Sequence, residues 1–376
     1  MKNSALYIHI PFCDHKCIYC DFYSIINHRD ENNFFSSLLK EIEYYSRFYA
    51  HDHLFDTIFF GGGTPSLMPP EYISSIIEHL RKHYSVAANP EITLETNPGT
   101  VNPEKLAAFK AAGINRISIG IQSFDDADLK FLTRIHDKQT AINTVNAAKA
   151  AGIENINIDL IFNLPGQTKA KWLENLNTAM TLPITHISAY SLILERGTIL
   201  NKMVLDGKVT LQDDDYDADL YEATISFLEE RGFMQYEVSN FAKGGYKCAH
   251  NLHYWKYDDY LSFGPSAHSF MNGKRWHNIS ALNLYIKAVE EKSNAQINTE
   301  ELSQEERLEE YIMLALRSEG LNMAEFANMF DANWLKENSH LLEELIVEGF
   351  LQKEDSLLKL TSKGYPVCDE IVNKLL

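Results

Sequence analysis

The segment richest in reactive groups is Cys13-Asp14-His15-Lys16-Cys17-Ile18-Tyr19-Cys20, three cysteines with three and then two residues between them. Three thiolates on one tight loop can hold three corners of a cubane iron–sulfur cluster and leave the fourth iron open to a substrate or cofactor. Thiolates also suit zinc. Structural zinc normally takes four protein ligands, and Cys248 or His15 is available as a fourth. Three unliganded thiols are a weaker alternative, because free thiols on a polar loop invite oxidation.

Further polar or flexible groups recur where apolar segments end. Gly61-Gly62-Gly63-Thr64-Pro65-Ser66 lets bare backbone approach a ligand, and with no Gly-Lys-Ser/Thr it is not a phosphate loop. Glu95-Thr96-Asn97-Pro98, Gln122-Ser123, Asn163–Gln167 and Tyr190-Ser191 follow the same rule, and Asp159 interrupts the apolar run Ile156–Phe162. A carboxylate there is costly unless paired or functional. The preceding segments, Ala5–Ile10, Thr57–Phe60, Glu91–Glu95, Arg116–Ile121, Asn155–Phe162 and His186–Ser191, read as strands. Helical periodicity fills the gaps, with Asn102, Pro103 and Gly113 as N-cap, first-turn proline and C-terminal glycine of one helix. Repeated strand–helix units imply an α/β fold with a parallel sheet. Six units are too few for a closed eight-stranded barrel, so a partial (β/α)6 barrel is expected, with an open doubly wound sheet as the alternative. In such folds sites gather at the C-terminal ends of the strands, which places the cysteine loop and the other strand ends around one mouth.

Downstream, Gly197–Lys208 reads as a linker, Asp213–Arg231 as a helix, and 233–270 as irregular or β-rich. Glu305–Ser318, Met323–Phe330 and Trp334–Glu348 fit helices, and Phe350–Gln352 with Leu357–Leu360 fits a hairpin, together a winged-helix-like module. The expected divisions are 1–232, 233–297 and 298–376. Of 376 residues, 45% are hydrophobic and 23% charged, and the net charge is −18. That balance disfavours general binding to nucleic acid or anionic membrane. The stretch 299–376 alone holds 7 Lys+Arg against 17 Asp+Glu, so the winged-helix-like module is expected to pack or to bind partners, not DNA. The N-terminus lacks a signal-peptide pattern and no run reaches transmembrane length, so a cytoplasmic location is expected. Five cysteines, an odd number, fit a reducing compartment. Cys368 reads as a buried packing residue.

With Cys-x3-Cys-x2-Cys directly after the first strand and a glycine run after the second, the sequence resembles the radical S-adenosylmethionine (SAM) superfamily. The resemblance implies a [4Fe–4S] cluster on Cys13, Cys17 and Cys20, and SAM held at its open iron. It also implies cofactor contacts from Tyr7, Tyr19, Gly62, Gly63, Thr64, Glu95, Gln122, Arg134, Asp159 and Ser191. Within the superfamily, Tyr7–Cys13, Gly61–Ser66, Glu95–Pro98, Ile119–Ser123, Tyr236–Ala242 and Gly264–Ser269 are similar to the branch of oxygen-independent coproporphyrinogen III oxidase and the heme chaperone HemW, over essentially the whole chain.

Two features lean toward the chaperone side. The oxidase has a fourth cysteine where this chain has Phe22, and a longer segment before its cluster. His250-Asn251-Leu252-His253-Tyr254-Trp255 matches the His-Asn-x-x-Tyr-Trp motif of HemW-type proteins. A His can ligate heme iron and aromatic rings can pack on the macrocycle, so His250, Asn251, Tyr254 and Trp255 are the candidate heme residues. His253, His268 and Cys248 are further lining candidates. The resemblance implies heme as ligand, respiratory heme proteins as clients, a homodimer, and at most peripheral membrane association. Decarboxylation of coproporphyrinogen propionates through a 5′-deoxyadenosyl radical is the alternative, disfavoured by Phe22 and the short N-terminus. Whether the chain is an enzyme stays open at this point.

Overall fold

The structure is a computed structural model and describes residues 1–330 and 333–376. Six parallel strands form its centre: β1 (Lys2–Ile10), β2 (His53–Gly62), β3 (Val86–Thr96), β4 (Arg116–Gln122), β5 (Asn155–Phe162) and β6 (His186–Ser191). They pair in sequence order. The connections carry α1 (Glu31–Tyr49), α2 (Pro70–His83), α3 (Pro103–Ala112), α4 (Asp126–Phe131), α5 (Lys138–Ala150) and α6 (Lys169–Met180). After β6 come α7 (Ile199–Leu205) and α8 (Asp214–Glu229).

The strand period of two explains the layers. Leu6, Ile8 and Ile10 of β1, Ile58 and Phe60 of β2, and Ile92 and Leu94 of β3 pack with Phe34, Leu38 and Ile42 of α1 and Ile73, Ile76 and Leu80 of α2. Ile117, Ile119 and Ile121 of β4, Ile156, Ile158 and Leu160 of β5, and Ile187 of β6 pack with Val145 of α5, Trp172 and Leu176 of α6, and Leu220 of α8. The alternate residues face the other way, and they are mostly polar: Glu95, Arg116, Ser118, Asn157, Asp159, Ser188 and Tyr190 line one cavity with Phe59. Strands lie about 4.8 Å apart in a sheet. β2 and β6 can therefore share a cavity only if the sheet curves around it, as the partial barrel requires.

The sheet continues beyond six strands. β7 (Met234–Gln235) and β8 (Asn240–Ala242) extend it past β6. After α9 (Ala249–Trp255), β9 (Tyr260–Phe263) pairs parallel with β1. β10 (His268–Met271), β11 (Lys274–Asn278) and, after α10 (Leu282–Lys292), β12 (Gln296–Glu301) then build outward. Residues 233–301 thus complete the same 12-stranded sheet.

The last segment holds α11 (Gln304–Leu316), β13 (Leu321–Asn322), α12 (Met323–Met329), α13 (Asn333–Glu337), α14 (Ser339–Val347), β14 (Leu351–Glu354), β15 (Leu357–Leu360) and α15 (Cys368–Leu375). Its sheet order is β13-β15-β14, and Cys368 is buried in its core.

Several local expectations hold and others do not. Asn102 caps α3 by accepting from Lys105 N at 2.8 Å, and Gly113 ends it at φ +111°. The helix expected over Trp334–Glu348 divides at Asn338, where the side chains of Asn338 and Ser339 bond the carbonyls of Trp334 and Lys336. The stretch read as a linker contains α7, capped by Thr198. The stretch read as irregular contains α9. His, Asn, Tyr and Trp are middling helix formers, and α9 is capped from β3: Glu91 accepts from Ala249 N at 3.2 Å and His250 N at 3.0 Å.

Candidate functional site

The cysteine loop springs from the end of β1 and is closed at its base by backbone bonds, Cys13 N to Ile25 O at 2.9 Å and Ile25 N to Pro11 O at 2.8 Å. Buried Phe12 anchors it, meeting the Phe34 ring edge-on at 5.4 Å. Cys13, Cys17 and Cys20 all open onto the cavity of about 510 Å³. Cys13 is 8% exposed, and its Sγ lies 3.3 Å from Thr64 Oγ1. Burial raises the Cys13 thiol and pushes Cys20 up to about 11, so these thiols need a positive centre to become thiolates. Among the described residues, the one trio of His, Cys, Asp or Glu ligand atoms within 4.8 Å of one another lies elsewhere. The three sulfurs are therefore too spread for one zinc ion, while a cubane separates its corners. Cys248 supplies no fourth ligand, because it is buried with its Sγ 3.6 Å from Glu91. His15 lines the cavity and bonds Thr133 Oγ1 at 3.1 Å. The donor set fits a cluster with an open corner better than zinc.

The glycine run braces that loop. Gly63 N donates to Ile10 O and Thr64 N to Phe12 O, both at 2.8 Å. A Cβ on Gly63 would lie 2.6 Å from Phe12 O, and Gly62 sits at φ +110° against the His9 ring. Glu95 accepts from Gly62 N at 3.1 Å. Burial, then neighbouring Asp159, pushes the Glu95 carboxyl up to about 8. Asp159, raised chiefly by burial, accepts from Asn157 at 2.7 Å and from Ser118 at 3.2 Å. Both acids face an interior able to receive a cation. Arg134 Nη1 points at Cys17 Sγ (3.6 Å) and Tyr19 OH (3.5 Å). Its Nη2 donates to Asn97 Oδ1 at 2.6 Å and Gly120 O at 2.5 Å. Gln122 (φ +71°), Tyr19 and Ser191 also line the cavity, and Ser191 Oγ donates to Asp217 at 2.5 Å. Tyr7 lies behind this wall, its OH 3.2 Å from His9 Nδ1 and its ring stacked on Phe59.

The His250–Trp255 motif is split by α9. Asn251 reaches the cluster cavity, and Trp255 reaches a second cavity of about 1060 Å³ bordered by Tyr236, Lys247, Lys256, Tyr311 and Met329. His250 sits between them, 1% exposed. One ring nitrogen pairs with Thr57 Oγ1 and the other with Tyr254 OH, both at 2.9 Å, and the ring stacks on Phe59. Both His250 ring nitrogens are thus engaged within the protein, so ligation of iron by His250 requires one of these bonds to open. Tyr254 is likewise committed to His250. His253 bridges Asp56 at 2.7 Å and Asp258 at 2.9 Å. These partners outweigh burial and raise it to about 9, so it is a charged strut. His268 is exposed and stacks on His277.

Sequence reasoning passed over Arg116, Ser118, Asn157 and Ser188. Their signal was the same as that of Asp159, a polar residue at every second position of an otherwise apolar strand. Arg116 is 2% exposed and lies near Glu91 and Asp159, which help keep it charged.

Comparison with known proteins agrees with this geometry. Residues 7–179 match the radical SAM superfamily, and residues 302–367 match the HemN C-terminal domain. The solved structure of coproporphyrinogen III oxidase (HemN) from Escherichia coli, a radical SAM enzyme, superposes with a TM-score of 0.84 at 23% identity, covering 100% of this chain and 90% of that one. The heme chaperone HemW of Bacillus subtilis is 34% identical over 100% of this chain and 99% of its own length. That of Lactococcus lactis is 32% identical over 100% and 98%. A fold and a cysteine loop of this kind define a radical SAM protein, a class that implies a [4Fe–4S] cluster and SAM. Within that class, the chain belongs to the HemW family. Among the described residues, no helix is long and apolar enough to cross a membrane.

Proposed function

We propose that this chain is a heme chaperone that binds heme and passes it to client heme proteins of respiration. The end-to-end similarity to proteins named heme chaperone HemW carries the reading. Phe22 supports it: it lies 64% exposed at the rim of the cluster cavity, where the oxidase branch carries a further cysteine.

In this reading Cys13, Cys17 and Cys20 hold a [4Fe–4S] cluster, which supplies an electron to SAM when both are bound. Gly62, Gly63 and Thr64 offer close backbone approach, Glu95 and Asp159 receive positive charge, and Arg134 offers a guanidinium to a carboxylate. Gln122, Tyr19 and Ser191 complete the wall, and Tyr7 supports it from behind. Of the heme motif, Asn251 and Trp255 are the members that face open space, each in a different cavity. His250 and Tyr254 hold α9 in place between them.

The test is an anaerobic heme titration of reconstituted protein, with Asn251→Ala and Trp255→Ala in parallel. Stoichiometric heme binding, weakened by one of the two, supports the reading and tells which cavity is used. A protein that binds no heme overturns it. Release of 5′-deoxyadenosine together with decarboxylation of coproporphyrinogen III would instead establish an oxidase, whose fold this chain shares.

A further inference from the structure

On the outer helical layer, away from the cavity, Glu43 of α1 and His79 and His83 of α2 each bring a ligand atom within 4.8 Å of the others. His79 and His83 are four residues apart and so share one helix face, with ring centroids 4.4 Å apart. His79 Nε2 lies 3.1 Å from the Leu39 carbonyl and donates to it, which leaves Nδ1 with its lone pair. His83 Nε2 is buried and has no hydrogen-bond partner, a condition native structures rarely tolerate without a ligand or water.

We infer that Glu43, His79 and His83 form a site for a divalent transition metal, with Zn²⁺ the best fit. Two imidazoles and one carboxylate are a familiar zinc donor set, with the remaining position open to water. α1 follows the cysteine loop and α2 follows the Gly61–Ser66 loop, so a bound ion clips together the helices behind both loops.

The test uses the full chain carrying Cys13→Ala, Cys17→Ala and Cys20→Ala, so that thiols do not compete, titrated calorimetrically with Zn²⁺. One Zn²⁺ per chain is expected, with affinity falling at least tenfold when His83→Ala or Glu43→Gln is added. A second arm adds Co²⁺ to cluster-loaded wild type. There the Co²⁺ spectrum should show nitrogen and oxygen ligation without thiolate charge transfer, and should vanish in His79→Ala/His83→Ala. Absence of Zn²⁺ and Co²⁺ binding overturns the site, as does binding unchanged in the double histidine variant.

Discussion

Arg134 donates from Nη2 to Oδ1 of Asn97 at 2.6 Å, tying the segment after β4 to the end of β3. Asn97 in turn donates from Nδ2 to Thr64 Oγ1 at 2.9 Å. One side-chain amide thus holds both the guanidinium and the glycine loop. Asn97→Ala should leave cluster iron and sulfide unchanged while weakening SAM binding about ten- to a hundredfold, since one charged hydrogen bond is worth about 1.5–3 kcal/mol. Equilibrium binding of SAM alongside iron analysis checks this, and unchanged affinity would remove Asn97 from the site.

Gly63 has no room for a methyl group, because its Cβ would press on the Phe12 carbonyl. Gly63→Ala should displace the cysteine loop and cut cluster loading severalfold, with the helical content of the chain preserved. Iron quantification and circular dichroism separate the two effects.

Cys17→Ala removes one of three thiols and should abolish the brown chromophore on reconstitution. Heme binding should persist where heme occupies the cavity of Trp255, which no cysteine of the loop lines, whereas the cavity of Asn251 is shared with Cys17. Loss of heme affinity together with the cluster would place heme at the cluster.

His250→Ala should destabilise the chain by about 2–4 kcal/mol, since it removes a buried ring and strands the hydroxyls of Thr57 and Tyr254. Urea unfolding measures the loss. Heme affinity of the folded variant should fall only severalfold, through a loosened α9, and complete loss of heme binding with α9 still folded would make His250 a ligand.

Glu95 gives a pH signature. Its folded pKa, about 8, exceeds the ordinary value of 4.5. The protonated group therefore favours the folded state fully below pH 4.5, and that contribution is lost as pH rises through about 8. In cluster-free protein, the melting temperature of Glu95→Gln relative to wild type should rise steadily between pH 5 and pH 8. A pH-independent difference would show that Glu95 titrates normally.

Much of this molecule was legible in the residues themselves. The cysteine spacing, the glycine run and the alternation of apolar with polar residues in β4 and β5 are local patterns, and local patterns determine strand identity, facing direction and ligand chemistry. The caps of α3 were readable for the same reason. What the sequence could not decide depends on partners distant along the chain. α9 exists as a helix because Glu91, about 160 residues earlier, satisfies its first amides. His250 looked like an iron ligand within its motif, but Thr57 and Tyr254 occupy its nitrogens, and only the packing of α9 on β2 brings Thr57 there. The cysteines determined the chemistry, and the curvature of the sheet decided which polar groups share a cavity with it.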